Sequence, residues 1–105
     1  PGRTVDASRC ISCLTIENRK ERIGEEFRGR MQNWAFGCDT CQDVCPWNNN
    51  VHPHYEPWLD PIPGLLEMTR QEWSALDEER FDRLFEGSAV KRSKYTGLRR
   101  NIDFL

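Results

Sequence analysis

Five cysteines carry the chemistry that this sequence can do. Three of them, Cys38, Cys41 and Cys45, stand in the run Cys-Asp-Thr-Cys-Gln-Asp-Val-Cys, with Pro46 directly behind. The spacing is C-x2-C-x3-C-P. It is the closing part of the longer C-x2-C-x2-C-x3-C-P run that holds iron–sulfur clusters, in which the last cysteine ligates a second cluster. Thiolates are the ligands that iron takes in such clusters, and a short loop can present several of them to one centre. Zinc sites use paired C-x2-C elements and have no need of a third cysteine with a proline after it. Iron–sulfur ligation is the chemistry this loop suits best.

A complete run would carry its first cysteine at position 35, where Ala35 stands. One ligand must therefore come from elsewhere, and Cys10 and Cys13 are the supply within the chain. These two also form a C-x2-C pair, separated from Cys38 by residues 14 to 37, a gap of 24. Two such pairs can close a tetrahedral zinc site, although the usual gap is about 15–20 residues and Cys45-Pro46 is left unexplained. The alternative function is thus a zinc-stabilised four-cysteine structural or binding module without a redox role. Disulfides are not expected: the cysteine number is odd, and the opening residues do not read as a signal peptide. Cys13 has a second reading. Ile11, Leu14 and Ile16 surround it, and a free cysteine often serves as a small core hydrophobe.

The elements that must position these thiols are short. Asp6 can cap a short helix running through Ser8 and Cys10, with Thr15-Ile16-Glu17 as a connection. Ile23, Phe27, Met31 and Trp34 then recur at helical spacing, with Glu25 and Glu26 early and Arg28 and Arg30 late, as the helix dipole favours. Gly37 would end this helix just before the cysteine loop. From Pro46 to Pro63 there are five prolines, which exclude an ordinary helix and predict a long loop anchored by Trp47 and Trp58. Trp47, next to Cys45, can either shield a cluster or simply pack in the loop. His52 and His54 flank Pro53 and can bind metal adventitiously or lie on a surface loop. Thr69 and Glu72 make a capping box ahead of Trp73 and Leu76. Asp77 caps a further helix with Phe81, Leu84 and Phe85, stopping at Gly87. A last helix from near Ser93 sets Tyr95, Leu98, Ile102 and Leu105 on one stripe. No strand pattern or internal repeat is visible. The expected fold is small and mostly α, a ferredoxin-like cysteine cluster loop with short helices and a long Pro-rich loop. Residues 1–64 form the cysteine-rich portion and 65–105 a helical segment.

The 105 residues suit one small domain. Leu, Ile, Val and Phe number 22, and mean hydropathy is −0.78, so apolar burial alone is marginal and bound metal would help hold the fold. No apolar run is long enough to span a membrane. Neither Pro1-Gly2-Arg3 nor the still helical Asn101-Ile102-Asp103-Phe104-Leu105 reads as a natural terminus, so the chain is expected to be a piece of a longer protein. The net charge of −2 does not mark a nucleic-acid binder. Its distribution does more: Lys91, Arg92, Lys94, Arg99 and Arg100 fall within ten residues that hold no acid. Such a run contacts phosphates or forms a solvated helix face.

Three blocks go beyond a generic cluster loop. The stretch Val5-Asp6-Ala7-Ser8-Arg9-Cys10-Ile11-Ser12-Cys13-Leu14-Thr15-Ile16-Glu17 resembles one of the epoxyqueuosine reductases. So does Phe36-Gly37-Cys38-Asp39-Thr40-Cys41-Gln42-Asp43-Val44-Cys45-Pro46-Trp47-Asn48. Gly87-Ser88-Ala89-Val90-Lys91-Arg92, followed by Arg99-Arg100-Asn101, resembles the segment leading into that family's C-terminal helical repeats. The blocks come in the family's order and span nearly the whole chain.

The resemblance implies a cytoplasmic, monomeric tRNA-modification enzyme that reduces epoxyqueuosine to queuosine, using cobalamin and two 4Fe-4S clusters. The clusters would pass electrons to cobalt, supplied from outside by an electron donor that the sequence does not identify. It also implies a ligand set. Cys10, Cys38 and Cys41 would serve one cluster, completed by the last cysteine of an upstream run that this chain lacks. Cys45 would cross to the other, completed by the first three cysteines of that run. The cobalamin-binding domain with its catalytic acid lies upstream too, so this chain would not be catalytic alone. Lys91, Arg92, Lys94, Arg99 and Arg100 become candidate tRNA contacts. Cys13 departs from the pattern, since many members carry an aromatic residue there. A spare thiolate at Cys13 would let the isolated chain take zinc through Cys10, Cys38, Cys41 and either Cys13 or Cys45. A different cobalamin- or cluster-dependent reductase with the same module is the remaining alternative.

Overall fold

The structure is a computed structural model and describes residues 4–53 and 55–105. Pro1, Gly2, Arg3 and His54 lie outside the described residues, and with them the expectations about the first residues and about His54 as a metal ligand. Among the described residues there is no strand, and the expected small, mostly α fold is found. Four α-helices appear: α1 (Thr40–Asp43), α2 (Arg70–Ser74), α3 (Glu78–Leu84) and α4 (Lys94–Phe104). Single 3-10 turns and one π-helical turn make up the other regular elements. No helix is long and apolar enough to cross a membrane.

The caps follow from local chemistry. Asp6 accepts from the backbone N–H of Ser8 at 3.0 Å and starts the 3-10 turn Ala7–Arg9. Thr69 and Glu72 exchange hydrogen bonds at the start of α2, and Asp77 accepts from the N–H of Arg80 at the start of α3. Each cap satisfies a backbone donor that the first helical turn leaves free. Thr69→Ala should lower stability by about 1 kcal/mol, the ordinary cost of losing an N-cap. A urea midpoint unchanged from wild type would contradict this.

Two expected elements differ. The helix through Ile23, Phe27, Met31 and Trp34 does not form; only the 3-10 turn Glu25–Phe27 does. Gly29, Gln32 and Asn33 have positive φ values of 72°, 50° and 64°, and a right-handed helix cannot pass through them. Ile23 and Met31 are nevertheless buried, at 3% and 2% exposure, because the loop itself folds over them. Arg28 secures that loop: it donates to the Phe104 carbonyl at 3.1 Å and lies 4.5 Å from the centre of the Phe104 ring. In the second case Thr15, Ile16 and Glu17 belong to the π-helical turn Cys13–Glu17 rather than to a plain connection. The Thr15 hydroxyl donates to the Ile11 carbonyl at 2.8 Å, which keeps the chain wound there.

Two apolar clusters hold the molecule. One joins Leu14, Ile23, Met31 and Phe104; the other joins Leu76, Phe81, Phe85 and Leu98. Phe81 sits 5.3 Å from Phe85 and 5.9 Å from Tyr95, ring centre to ring centre. Helix α4 contributes Leu98, with Tyr95 and Ile102 of the stripe read from the sequence, to the second cluster, and Phe104, which that stripe left out, to the first beside Leu105. It is the element both halves pack upon. The Pro-rich segment behaves otherwise. Trp47 and Trp58, expected as anchors, are 89% and 77% exposed. The closely spaced prolines permit only the 3-10 turns Pro46–Asn48 and Pro57–Leu59, too short to fold either ring back onto the core.

Candidate metal centre

Cys10 closes the turn Ala7–Arg9, and its carbonyl accepts from the N–H of Leu14 at 2.9 Å. Cys13 opens the π-helical turn. Cys38 follows Gly37, whose φ of +71° lets the chain turn sharply into the cysteine loop. Cys41 is exposed on α1, and Cys45 precedes the turn Pro46–Asn48. All five thiols are free, and Cys10, Cys13, Cys38 and Cys45 are half-buried.

What positions the two cysteine segments is a set of buried polar side chains. Thr15 is 0% exposed. Its hydroxyl accepts from the N–H of Gly37 at 3.0 Å, tying the Cys10–Cys13 segment to the residue before Cys38. Asn101, 1% exposed on α4, donates through its side-chain nitrogen to the carbonyls of Thr15 and Ala35, both at 2.8 Å. Arg100 fixes the amide from the other side. Its Nε and Nη2 donate to Asn101 Oδ1 at 3.0 and 2.8 Å. The same guanidinium donates to the carbonyls of Leu14, Asn18 and Lys20. A buried amide satisfied on both its oxygen and its nitrogen has one orientation, so the two segments are held in register by α4. Thr15 and Asn101 escaped the sequence reading. The signal for Asn101 was its place on the apolar stripe, three residues after Leu98, where only a paired polar group is tolerated.

The donor set suits iron–sulfur ligation, since Cys10, Cys38, Cys41 and Cys45 are all soft thiolate ligands when deprotonated. Among the described residues no three cysteine, histidine, aspartate or glutamate side chains are gathered closely enough to hold a metal ion. This holds alike for the Cys10, Cys38 and Cys41 set and for the alternative four-thiolate zinc site, so it does not choose between them.

The five basic residues are mostly engaged. Lys91 pairs with Asp82 at 2.5 Å. Arg92 grips both oxygens of Glu17, at 2.5 and 3.0 Å. Arg99 pairs with Asp103 at 3.1 Å and also donates to the Ser74 carbonyl. Arg100 is spent on the clamp just described. Burial, and after it the charge of Arg19, lower its pKa from the ordinary guanidinium value. Lys94 is exposed and has no ion pair or hydrogen bond from its side chain among the described residues.

The hydrogen bond from Arg92 first, and after it the charges of Arg92 and Arg19, lower the Glu17 pKa from its ordinary value of 4.5 against the opposing effect of burial. A lowered folded-state pKa means stability that is present above the unfolded value and is lost as pH falls through the folded one. The contribution of this pair should be complete above about pH 4.5 and fade below it. Glu17→Gln should flatten that part of an acid titration of stability. An unchanged titration would remove Glu17 from the linkage.

The model of a 4Fe-4S double cluster binding domain matches residues 1–48. The epoxyqueuosine reductase of Cellulophaga algicola is 54% identical over 101 residues, which are 96% of this chain and 33% of that protein. The one from Leadbetterella byssophila is 52% identical over 96% of this chain and 32% of its own length. The one from Yersinia pestis is 44% identical over 94% of this chain and 24% of its own length. No solved structure matches. The chain spans about a third or less of these curated relatives. Along nearly its whole length, then, this chain is similar to about a third of the length of the epoxyqueuosine reductases of these organisms.

Proposed function

We propose that this chain is the part of an epoxyqueuosine reductase that supplies four thiolates to two shared 4Fe-4S clusters. Cys10, Cys38 and Cys41 hold one cluster, and Cys45 reaches to the other. When bound, the clusters supply single electrons to cobalamin for the reduction of epoxyqueuosine to queuosine in tRNA. The observation that carries this reading is the double-cluster match over residues 1–48, which contains every cysteine of the chain.

This chain's own residues have defined tasks in that role. Thr15 and Asn101 hold the two cysteine segments together, and Arg100 holds Asn101. Rigid support of this kind keeps ligand thiolates placed and limits the rearrangement that electron transfer would otherwise demand. The partners under this reading are the upstream cobalamin domain, tRNA and a separate electron donor, with a monomeric protein working in the cytoplasm.

The test is iron, sulfide and zinc analysis of this chain and of the full-length protein, both purified anaerobically. About eight irons and eight sulfides in the full-length protein, with far less in the short chain, are expected. One zinc per chain and no sulfide in both would replace the redox reading with a zinc-stabilised module.

A further inference from the structure

A cleft of about 410 Å³ lies between the turn at residues 18–21 and the beginning of α4. Four cations line it: Arg19, Lys20, Lys94 and Arg100. Glu21 is the one acid among its lining residues. The walls are fixed. Arg100 donates to the carbonyls of Asn18 and Lys20, both at 2.8 Å, and Arg19 donates to the carbonyl of Arg92 at 3.1 Å. Asn18 tightens the turn by accepting from the N–H of Lys20 at 3.0 Å. Like charges are thus held around one space: Arg19 and Arg100 by the carbonyls they bond, Lys20 and Lys94 without an ion pair of their own among the described residues.

Two backbone facts point the same way. Lys94 has φ 60° and ψ 164°, a conformation that only glycine adopts without strain. Gly97, three residues on, sits inside α4, where glycine is a poorer helix former than alanine. A Cβ at Gly97 would meet Ser93 Cβ at 3.6 Å and Arg100 Nη2 at 4.0 Å, ordinary contacts that the protein itself tolerates. Each residue is the wrong choice for its own backbone. Both line the cleft: Lys94 brings an exposed cation to it, and Gly97, itself buried, leaves that part of the wall without a side chain.

We propose that this cleft is a phosphate site, and that its occupant is a backbone phosphodiester of tRNA. The assignment of the occupant rests on the proposed function. Arg19, Lys20 and Gly97 thereby join Lys94 in the binding surface, while Arg100, whose five N–H donors are taken by Asn101 and by the carbonyls of Leu14, Asn18 and Lys20, adds only its charge. Arg100 acts both as wall and as support for Asn101, so it is not a clean probe.

The experiment is tRNA binding by the full-length protein, read by fluorescence anisotropy over a range of salt, for wild type, Lys94→Gly and Gly97→Ala. Both substitutions relieve the backbone, so both should raise the thermal midpoint. Both should also weaken tRNA binding, Lys94→Gly by roughly five- to tenfold at low salt, with its log–log salt slope reduced by about one. A structural role alone would move stability and affinity in the same direction. If wild type binds tRNA and both variants match it in affinity and slope, the cleft is not the site, while the reading of the full-length protein stands. If wild type does not bind tRNA, the proposed function fails and the occupant with it. If inorganic phosphate raises the melting temperature of wild type but not of the variants, and tRNA affinity is the same in all three, the cleft takes a small free anion and the tRNA assignment is overturned.

Discussion

Cys38→Ser in the full-length protein is expected to remove one of its two clusters, a loss of roughly four irons and four sulfides. Serine keeps the size of the side chain but replaces a soft thiolate with a hydroxyl that stays protonated at neutral pH, so iron loses its ligand. The visible charge-transfer absorption should fall by about half, and turnover should be lost because the electron route is broken. Cys41→Ser should behave in the same way. Cys45→Ser should deplete the other cluster, so Cys38→Ser with Cys45→Ser should remove both. Cys13→Ser should retain full iron, since Cys13 opens the π-helical turn beside buried Leu14 and is left out of the ligand set. Iron and sulfide analysis with absorption spectra decides each case. A Cys38→Ser protein with full iron and an intact spectrum would show the ligand assignment to be wrong. Loss of metal in Cys13→Ser, with zinc in the wild type, would favour the zinc module.

Asn101→Ala should be strongly destabilising. It leaves the carbonyls of Thr15 and Ala35 without their donor and takes the acceptor from Arg100. Each unpaired buried group costs about 1–3 kcal/mol, so a loss of about 2–5 kcal/mol is expected with the cavity included. That is a large fraction of what a domain of this size has to spare. A fall in melting temperature on the order of 10 °C or more should follow. Asn101→Leu separates the causes, because it keeps the volume and removes the hydrogen-bonding groups. If it is as damaging as alanine, the lost hydrogen bonds are responsible. A melting temperature within about 2 °C of wild type for Asn101→Ala would mean that α4 does not hold the cysteine segments. Loosened segments should also expose the thiols, so faster reaction of Cys10 and Cys38 with a thiol reagent is the accompanying signature.

Those results would test contacts of two kinds, and the two kinds were not equally visible in the order of the residues. The caps at Asp6, Thr69 and Asp77 join groups two or three positions apart, so the residue types alone predict them. The stripe on α4 and the C-x2-C-x3-C-P spacing are local in the same sense, and so is the exclusion of a helix from the Pro-rich segment. Other features depend on groups brought together across the chain. Asn101 meets Thr15 and Ala35 over 86 and 66 positions, and Arg28 reaches Phe104 over 76. The apolar spacing through Ile23 and Met31 looked helical, yet those side chains found burial from a loop with left-handed residues, because burial rewards the position of a side chain and not the conformation that delivers it. Likewise, residues 91–100 read as one basic run, but only folding brought acids and carbonyls to Lys91, Arg92, Arg99 and Arg100 and set Lys94 beside Arg19 and Lys20. Sequence by itself determined which atoms could ligate iron and where the chain must turn, since both depend on near neighbours. Tertiary structure alone decided which polar groups hold the cysteine segments and which cations face open space, since both depend on pairings that exist only once the chain has closed on itself.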